Sequence, residues 1–262
     1  MTVSRQWALV TGASSGLGVD FATQLAARGW NLVLTARRRD RLDALADKLR
    51  NTHQAEVLVV DGDLGDCAFR DRLVRDATAD RKLHMVINNA GFGHQGEFLA
   101  VEWSRWSDLI GLNMLALTDL SYRLGRHLRD HGERSYLVNI ASIGAYQPVP
   151  NFAVYAASKA YVRDFSEAIA FELGGGKLSV TCVCPGATRT EFADAAGMKL
   201  NAMADAAMQS SESCVREALS ATFAGRRLVV TGALNKVITF LTRFSPRWLS
   251  ARLAERSMRP PS

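Results

Sequence analysis

WALVTGASSGLG, residues 7–18, is an apolar run that enters a glycine loop and then a helical pattern. In such a strand–loop–helix unit, Gly12 permits a tight turn and Gly16 lets the backbone approach a pyrophosphate. Gly18 lets helix and strand pack closely, and the helix N-terminus offers free N–H groups to phosphates. The spacing is G-x-x-x-G-x-G, not the commoner G-x-G-x-x-G, so alone it also fits an ordinary glycine turn. Outward from it the same alternation continues. Strands are expected at Trp7–Thr11, Asn31–Ala36, Glu56–Asp61, Leu83–Ile87, Ser135–Ile140, Leu178–Cys184 and Arg227–Thr231, all near-continuous apolar runs as in a sheet buried on both faces. Helical patterns lie at about 15–28, 39–51, 66–79, 102–131, 154–174 and 211–224, with Gly29, Gly132 and Gly174 as left-handed caps. This βαβ order predicts an α/β fold, a doubly wound, mostly parallel sheet with helices on both faces.

The 262 residues carry no linker or repeat, so one domain over 1–262 is expected, although at ~150 residues per domain two would fit. Hydrophobic residues at 48% and charged ones at 22% exclude disorder and fibre. No apolar run reaches the ~18 residues of a membrane span, and a start leading straight into a strand predicts no signal peptide. Four scattered cysteines predict a reducing, cytoplasmic setting. Residues 1–225 hold 24 basic and 25 acidic side chains, whereas 226–262 hold eight basic ones against Glu255 alone. The +6 net charge therefore belongs to a short tail, which argues against nucleic acid as a partner.

About 20 residues beyond the loop, where NAD proteins place a carboxylate for the ribose 2′-OH, the chain reads Thr35-Ala36-Arg37-Arg38-Arg39. No carboxylate repels a 2′-phosphate and guanidinium groups can bind one bidentately. NADP(H) is the favoured cofactor, with Arg37 as its contact; a merely solvated start of a helix is the alternative. Tyr155 and Lys159 then share one helical face. A phenol of ordinary pKa ~10 becomes a usable acid–base when an ammonium group and a helix N-terminus favour its anion. Ser142, ending the fifth strand, can hydrogen-bond a carbonyl oxygen while Tyr155 protonates it. By itself, Tyr-x-x-x-Lys reads more readily as a helix start with solvent-facing heads.

Taken together, TGASSGLG (11–18), NNAG (88–91), Asn113, Ser142, YAASK (155–159) and PGATRT (185–190) resemble the short-chain dehydrogenase/reductase superfamily, in order and spacing over nearly the whole chain. The resemblance implies a Rossmann-type sheet of seven parallel strands and hydride transfer at nicotinamide C4. It gives Tyr155 the acid–base role, Ser142 the substrate oxygen, Lys159 the tyrosine pKa and the nicotinamide ribose, and Asn113 a water in the proton relay. Gly12, Ser14, Ser15, Gly16, Leu17 and Gly18 would hold the pyrophosphate side, Asp63 and Leu64 the adenine, and Asn89, Ala90 and Gly91 the ribose. Pro185, Gly186, Thr188 and Thr190 would flank the nicotinamide and its phosphates. Ala36-Arg37 matches the NADP(H)-preferring branch, with one departure: Ser15 stands where some such enzymes place a second basic contact. The family also implies a homodimer or homotetramer through the helices at 102–131 and 154–174.

The resemblance also makes a substrate lid of about 187–212. Phe192, Met198, Leu200, Met203 and Met208 lie there among alanines, an adaptable lining for apolar ligands. With Phe92, Ile143, Tyr146 and Phe152 they would form an apolar pocket, unless half of them pack on the body. Cys182 and Cys184 share a strand face and predict no metal site. Asn88 reads as a tie between adjacent strands, and Trp103 and Trp106 as core or subunit contact. The expected function is NADP(H)-dependent interconversion of a carbonyl and an alcohol on an apolar small molecule. A cofactor-sensing protein of the same fold and a lipid-surface protein are the alternatives. Two short amphipathic helices are expected over 233–262. The first carries Leu234, Val237, Ile238, Phe240, Leu241 and Phe244. The second is capped by Ser245-Pro246 and carries Trp248, Leu249, Leu253 and Met258 beside Arg247, Arg252, Arg256 and Arg259. Packing of their apolar faces on protein is favoured over a membrane surface.

Overall fold

The computed structural model describes residues 5–197 and 208–258. Seven parallel strands form one sheet: β1 (Trp7–Thr11), β2 (Asn31–Thr35), β3 (Val57–Val59), β4 (Leu83–Asn88), β5 (Ser135–Ile140), β6 (Leu178–Cys184) and, last in the chain, Leu228–Val230. The order is β3-β2-β1-β4-β5-β6 followed by that last strand, and every neighbouring pair is parallel. The chain reverses direction across the sheet between β1 and β4, which opens the crevice where doubly wound sheets bind ligands.

Successive side chains enter opposite layers, and both layers are dry. Ala8 and Val10 join Phe21, Leu25, Leu42 and Leu219, from α1 (Gly16–Ala26), α2 (Arg39–His53) and the helix Ser211–Phe223. Leu9 joins Leu73, Leu120 and Leu124 on the other side, from α3 (Cys67–Thr78) and α5 (Leu117–Asp130). Burial on both faces explains why the strands read as unbroken apolar runs.

Between β4 and β5 the expected helix 102–131 is three pieces: α4 (Trp103–Ile110), a π-helical segment Gly111–Ala116, then α5. The wider π turn falls at Asn113, in keeping with the placement of such bulges at functional positions. Trp106 is core while Trp103 is 67% exposed, so the two do not share an environment. Gly29 and Gly132 take the left-handed conformation, but at the end of α6 (Ala153–Glu172) Gly175 does so, not Gly174. One residue more of chain is spent in the turn after Leu173.

Asn88 and Asn139 lie opposite one another on β4 and β5. The Asn88 amide donates to Ser121 Oγ (3.0 Å) of α5 and to Asn139 Oδ1 (2.9 Å), and Asn139 donates to Ser166 Oγ (3.0 Å) of α6. This buried polar chain supplies the expected tie between adjacent strands.

The tail forms the helices Ala233–Leu241 and Arg247–Met258. The second starts one residue later than expected: the Pro246 carbonyl accepts from Leu249 and Ser250, making Pro246 the boundary and not the first helical residue. Its expected polar residue Arg259 lies outside the described residues, as do Met198, Leu200 and Met203 of the lid.

Candidate active site

A cavity of about 660 Å³ opens beyond the carboxyl ends of the strands. Its lining holds every expected cofactor, substrate and catalytic residue except Gly18 and Asn113, which stand behind the wall.

The glycine-loop end is built from close backbone approaches. Gly12 and Gly16 adopt φ of 67° and 53°, conformations natural to glycine. A Cβ on Gly16 would lie 3.1 Å from the Thr190 side chain. One on Gly18 would overlap the Gly12 carbonyl and sit 2.9 Å from Asn89 Nδ2, which gives Gly18 a packing role. Thr11 fixes the neighbouring loop. Its hydroxyl donates to the Ile87 carbonyl (3.2 Å) and accepts from the backbone N–H of Asn89 and of Ala90, each at 2.9 Å. Asn89 returns a bond to the Thr11 carbonyl at 2.9 Å. The sequence reading missed Thr11, although it opens the quoted loop.

The basic run at the end of β2 divides its work unexpectedly. Arg37 is exposed and lines the cavity. Arg38 reaches across it, with Nε 3.2 Å from Ser14 Oγ and Nη1 3.1 Å from Glu191. Arg41 holds the other Glu191 oxygen, while Arg39 turns away to Asp43 and Asp61. The Arg41 guanidinium first, and Arg38 second, hold the Glu191 carboxyl below its usual range. Glu191 lies 150 or more residues from its partners in sequence, so no local pattern marks it.

At the other end, Ser142 lies two residues beyond β5 and accepts a bond from Gly144 N–H (3.1 Å) that starts a short 3₁₀ turn, Ile143–Tyr146. Ile143 N–H is bonded to the Pro185 carbonyl (2.9 Å), tying this turn to the loop after β6. Tyr155 lines the cavity with Ser142, whose side chain favours the phenolate, and its ring is flanked by Phe152 and Phe192 at 5.5 and 5.4 Å. Lys159 Nζ donates to the Ile140 carbonyl at 2.9 Å and lies 5.8 Å from the centre of the Tyr155 ring. Both Asn113 amide atoms are engaged, Oδ1 with Phe92 N–H and Nδ2 with the Phe92 carbonyl and Ser158 Oγ. Its side chain thus braces the Phe92 backbone against α6.

Burial is the largest influence on both groups: it pushes Tyr155 up to about 12, which the neighbouring Ser142 side chain only moderates, and it pushes Lys159 down to about 8. In spectrophotometric titration of the protein without cofactor, subtracting the Tyr155→Phe curve should reveal no phenol ionising below about pH 10. A tyrosinate appearing near neutrality would show that the ammonium outweighs burial.

Cys182 and Cys184 lie buried with sulfurs 4.0 Å apart, and among the described residues no cluster of three metal-ligating side chains occurs. No described helix is long and apolar enough to cross a membrane.

Comparisons with known proteins agree with this architecture. The short chain dehydrogenase family model matches residues 6–201. Sulfoacetaldehyde reductase of Chromohalobacter salexigens is 35% identical over 190 residues, 70% of this chain and 72% of that protein. A short-chain dehydrogenase from Sphingobium yanoikuyae, solved with NADPH, superposes with a TM-score of 0.81 at 30% identity, covering 92% of this chain and 97% of its own. The human inactive hydroxysteroid dehydrogenase-like protein 1 is 25% identical over 97% of this chain and 77% of its own. The seven-stranded sheet, the glycine loop beneath its crevice and the matched span carry one conclusion: this chain belongs to the short-chain dehydrogenase family of oxidoreductases.

Proposed function

We propose that the protein is an NADP(H)-dependent reductase that interconverts a carbonyl and an alcohol on an apolar small molecule. The observation carrying this reading is the Tyr155 phenol set beside Ser142 and buried Lys159, at the end of a cavity that begins at the glycine loop. The residues present fit a nicotinamide dinucleotide. Besides the close approaches at Gly12 and Gly16, a Cβ on Gly91 would crowd Asn113 Oδ1 at 2.9 Å and Lys159 Nζ at 3.4 Å, so glycine keeps that wall open. Asp63, Leu64, Asn89 and Ala90 continue the wall, and Pro185, Gly186, Thr188 and Thr190 close its far side. When bound, the cofactor supplies or accepts a hydride at nicotinamide C4.

The chain's own groups do the rest. In reduction, Tyr155 donates its hydroxyl proton to the substrate oxygen, and a phenol held up at about 12 is fully protonated for that task near neutral pH. Ser142, on the cavity wall with the same phenol, donates to the substrate oxygen and aligns it. Lys159, as an ammonium below about pH 8, favours the phenolate left behind. Phe92, Tyr146, Phe152 and Phe192 give the substrate end its apolar character. A homodimer or homotetramer through the helices at 102–131 and 154–174 is part of the reading, because Leu115, Tyr122 and Phe171 are 60, 64 and 67% exposed there. So is a cytoplasmic setting, for which the four free thiols are suited.

Ketones and aldehydes graded in size and polarity should be screened for NADPH consumption. Turnover on apolar carbonyls is the expected result. NADPH binding without turnover on any of them would favour a cofactor-sensing protein, as the likeness to an inactive dehydrogenase-like protein would suggest.

Coenzyme preference has its own test. NADPH should bind roughly ten- to a hundredfold more tightly than NADH, the usual worth of one or two charge-assisted hydrogen bonds. Ala36→Asp with Arg37→Ala should reverse that order, and Glu191→Gln should widen it by freeing Arg38 and Arg41 for the 2′-phosphate. Equal dissociation constants across all three proteins would remove the phosphate site from this end of the cavity.

A further inference from the structure

The two C-terminal helices face the opposite way from ordinary amphipathic helices. Against the body they bury small side chains, Thr239, Ser250 and Ala254, at 5, 5 and 4% exposure. Large apolar side chains of the helices, and Phe244 in the turn between them where a helical position was expected, stand outside: Phe240 57%, Leu241 55%, Phe244 74%, Trp248 61% and Leu253 55% exposed. Of the two kinds of packing expected, closure of these faces over the chain's own pocket is therefore not what the fold does, and cover by a neighbouring subunit is the one that stays open. Only Ile238 among the large ones reaches the cavity, beside Thr239 and Thr242.

Exposed arginines accompany this apolar surface. Arg243, Arg247, Arg252 and Arg256 are all in solvent, and the Arg252 guanidinium lies 5.4 Å from the Trp248 ring centre. At nine and twelve residues the helices are far short of the ~20 needed to span a bilayer. We propose that this face docks on an anionic lipid surface. Phe240, Phe244 and Trp248 would enter the headgroup–acyl boundary while the arginines meet acidic headgroups.

Charge decides between the possible occupants. A second copy of the same face would bring two strongly basic surfaces together, and like charge opposes such a pairing. A neutral apolar partner would leave the arginines desolvated without counter-charge. An anionic bilayer satisfies both components at once. The docking does not depend on the reaction proposed above, although it would bring the cavity wall formed by Ile238, Thr239 and Thr242 to the membrane side.

The test is co-sedimentation of the intact protein with vesicles of phosphatidylcholine alone or mixed with phosphatidylglycerol, at low and high salt. Binding to the mixed vesicles should be at least roughly tenfold tighter than to the neutral ones and should weaken as salt screens the headgroups. Trp248 emission should shift to the blue on binding, and Trp248→Phe should abolish that shift. Phe244→Ser with Trp248→Ser, and separately Arg243→Gln with Arg247→Gln, should each lower vesicle affinity roughly tenfold. Melting temperature and NADPH affinity should not move, since all four side chains are exposed and none lines the cavity. Equal affinity for neutral and anionic vesicles, or none for either, would overturn the proposal. So would a stable dimer in sedimentation velocity that Phe244→Ser with Trp248→Ser splits into monomers, which would assign the face to a second copy.

Discussion

Replacing Tyr155 with phenylalanine is expected to slow turnover by roughly 10²–10⁴-fold, the usual worth of a positioned general acid. The substitution removes one oxygen and keeps the ring between Phe152 and Phe192, so the apolar packing survives. It also leaves Ser142 its bond from Gly144 N–H, and the 3₁₀ turn with it. NADPH affinity should therefore stay nearly constant while the chemical step fails. Steady-state kinetics on a substrate the parent reduces, beside a dissociation constant from fluorescence, separates the two. Undiminished turnover would mean that the proton comes from elsewhere, and Tyr155 would then be wall and not acid.

Gly18→Ala should be the most damaging single methyl in the protein. The new Cβ would overlap the Gly12 carbonyl and press on Asn89, which belong to the two loops that Thr11 ties together. Backbone cannot rotate out of the way as a flexible side chain would. Overpacking of this kind costs about 1–3 kcal/mol and occasionally more, so the melting temperature should fall by roughly 5 °C or more. NADPH affinity should fall with it because the first turn of α1 must shift. An alanine variant with parental melting temperature and affinity would show that the loop tolerates a wider strand–helix gap than the geometry allows.

Much of this was legible in the chain because of where each signal arises. Strands buried on both faces read as apolar runs, and β1, β5 and β6 begin and end where those runs do. At the sheet edge the signal overstates: Glu56–Asp61 reads as a strand, but with a neighbour on one side only Val57–Val59 pair. The glycine loop, NNAG, Ser142 and PGATRT were legible because each follows a strand end, and strand ends converge in this topology. Three things were not. The π segment at Gly111–Ala116 differs from α-helix in the spacing of its hydrogen bonds and not in its residues. The Glu191 bridge joins remote parts of the chain. The orientation of the tail was hidden because helical spacing shows which side chains share a face, not whether anything covers it.

The Asn88–Asn139 pair also answers a question that its neighbours leave open. Val86, Ile87, Leu137 and Val138 are interchangeable as far as greasiness goes, so these strands carry no polar alternation to tell a correct alignment from one slid along the sheet. A slide would carry both amides and the hydroxyls of Ser121 and Ser166 away from their partners into hydrocarbon. Each bond left unmade there costs about 1–3 kcal/mol. The pair thus acts as a registration mark for the assembling sheet: it adds little to the depth of the native state and a good deal to the height of its misaligned competitors.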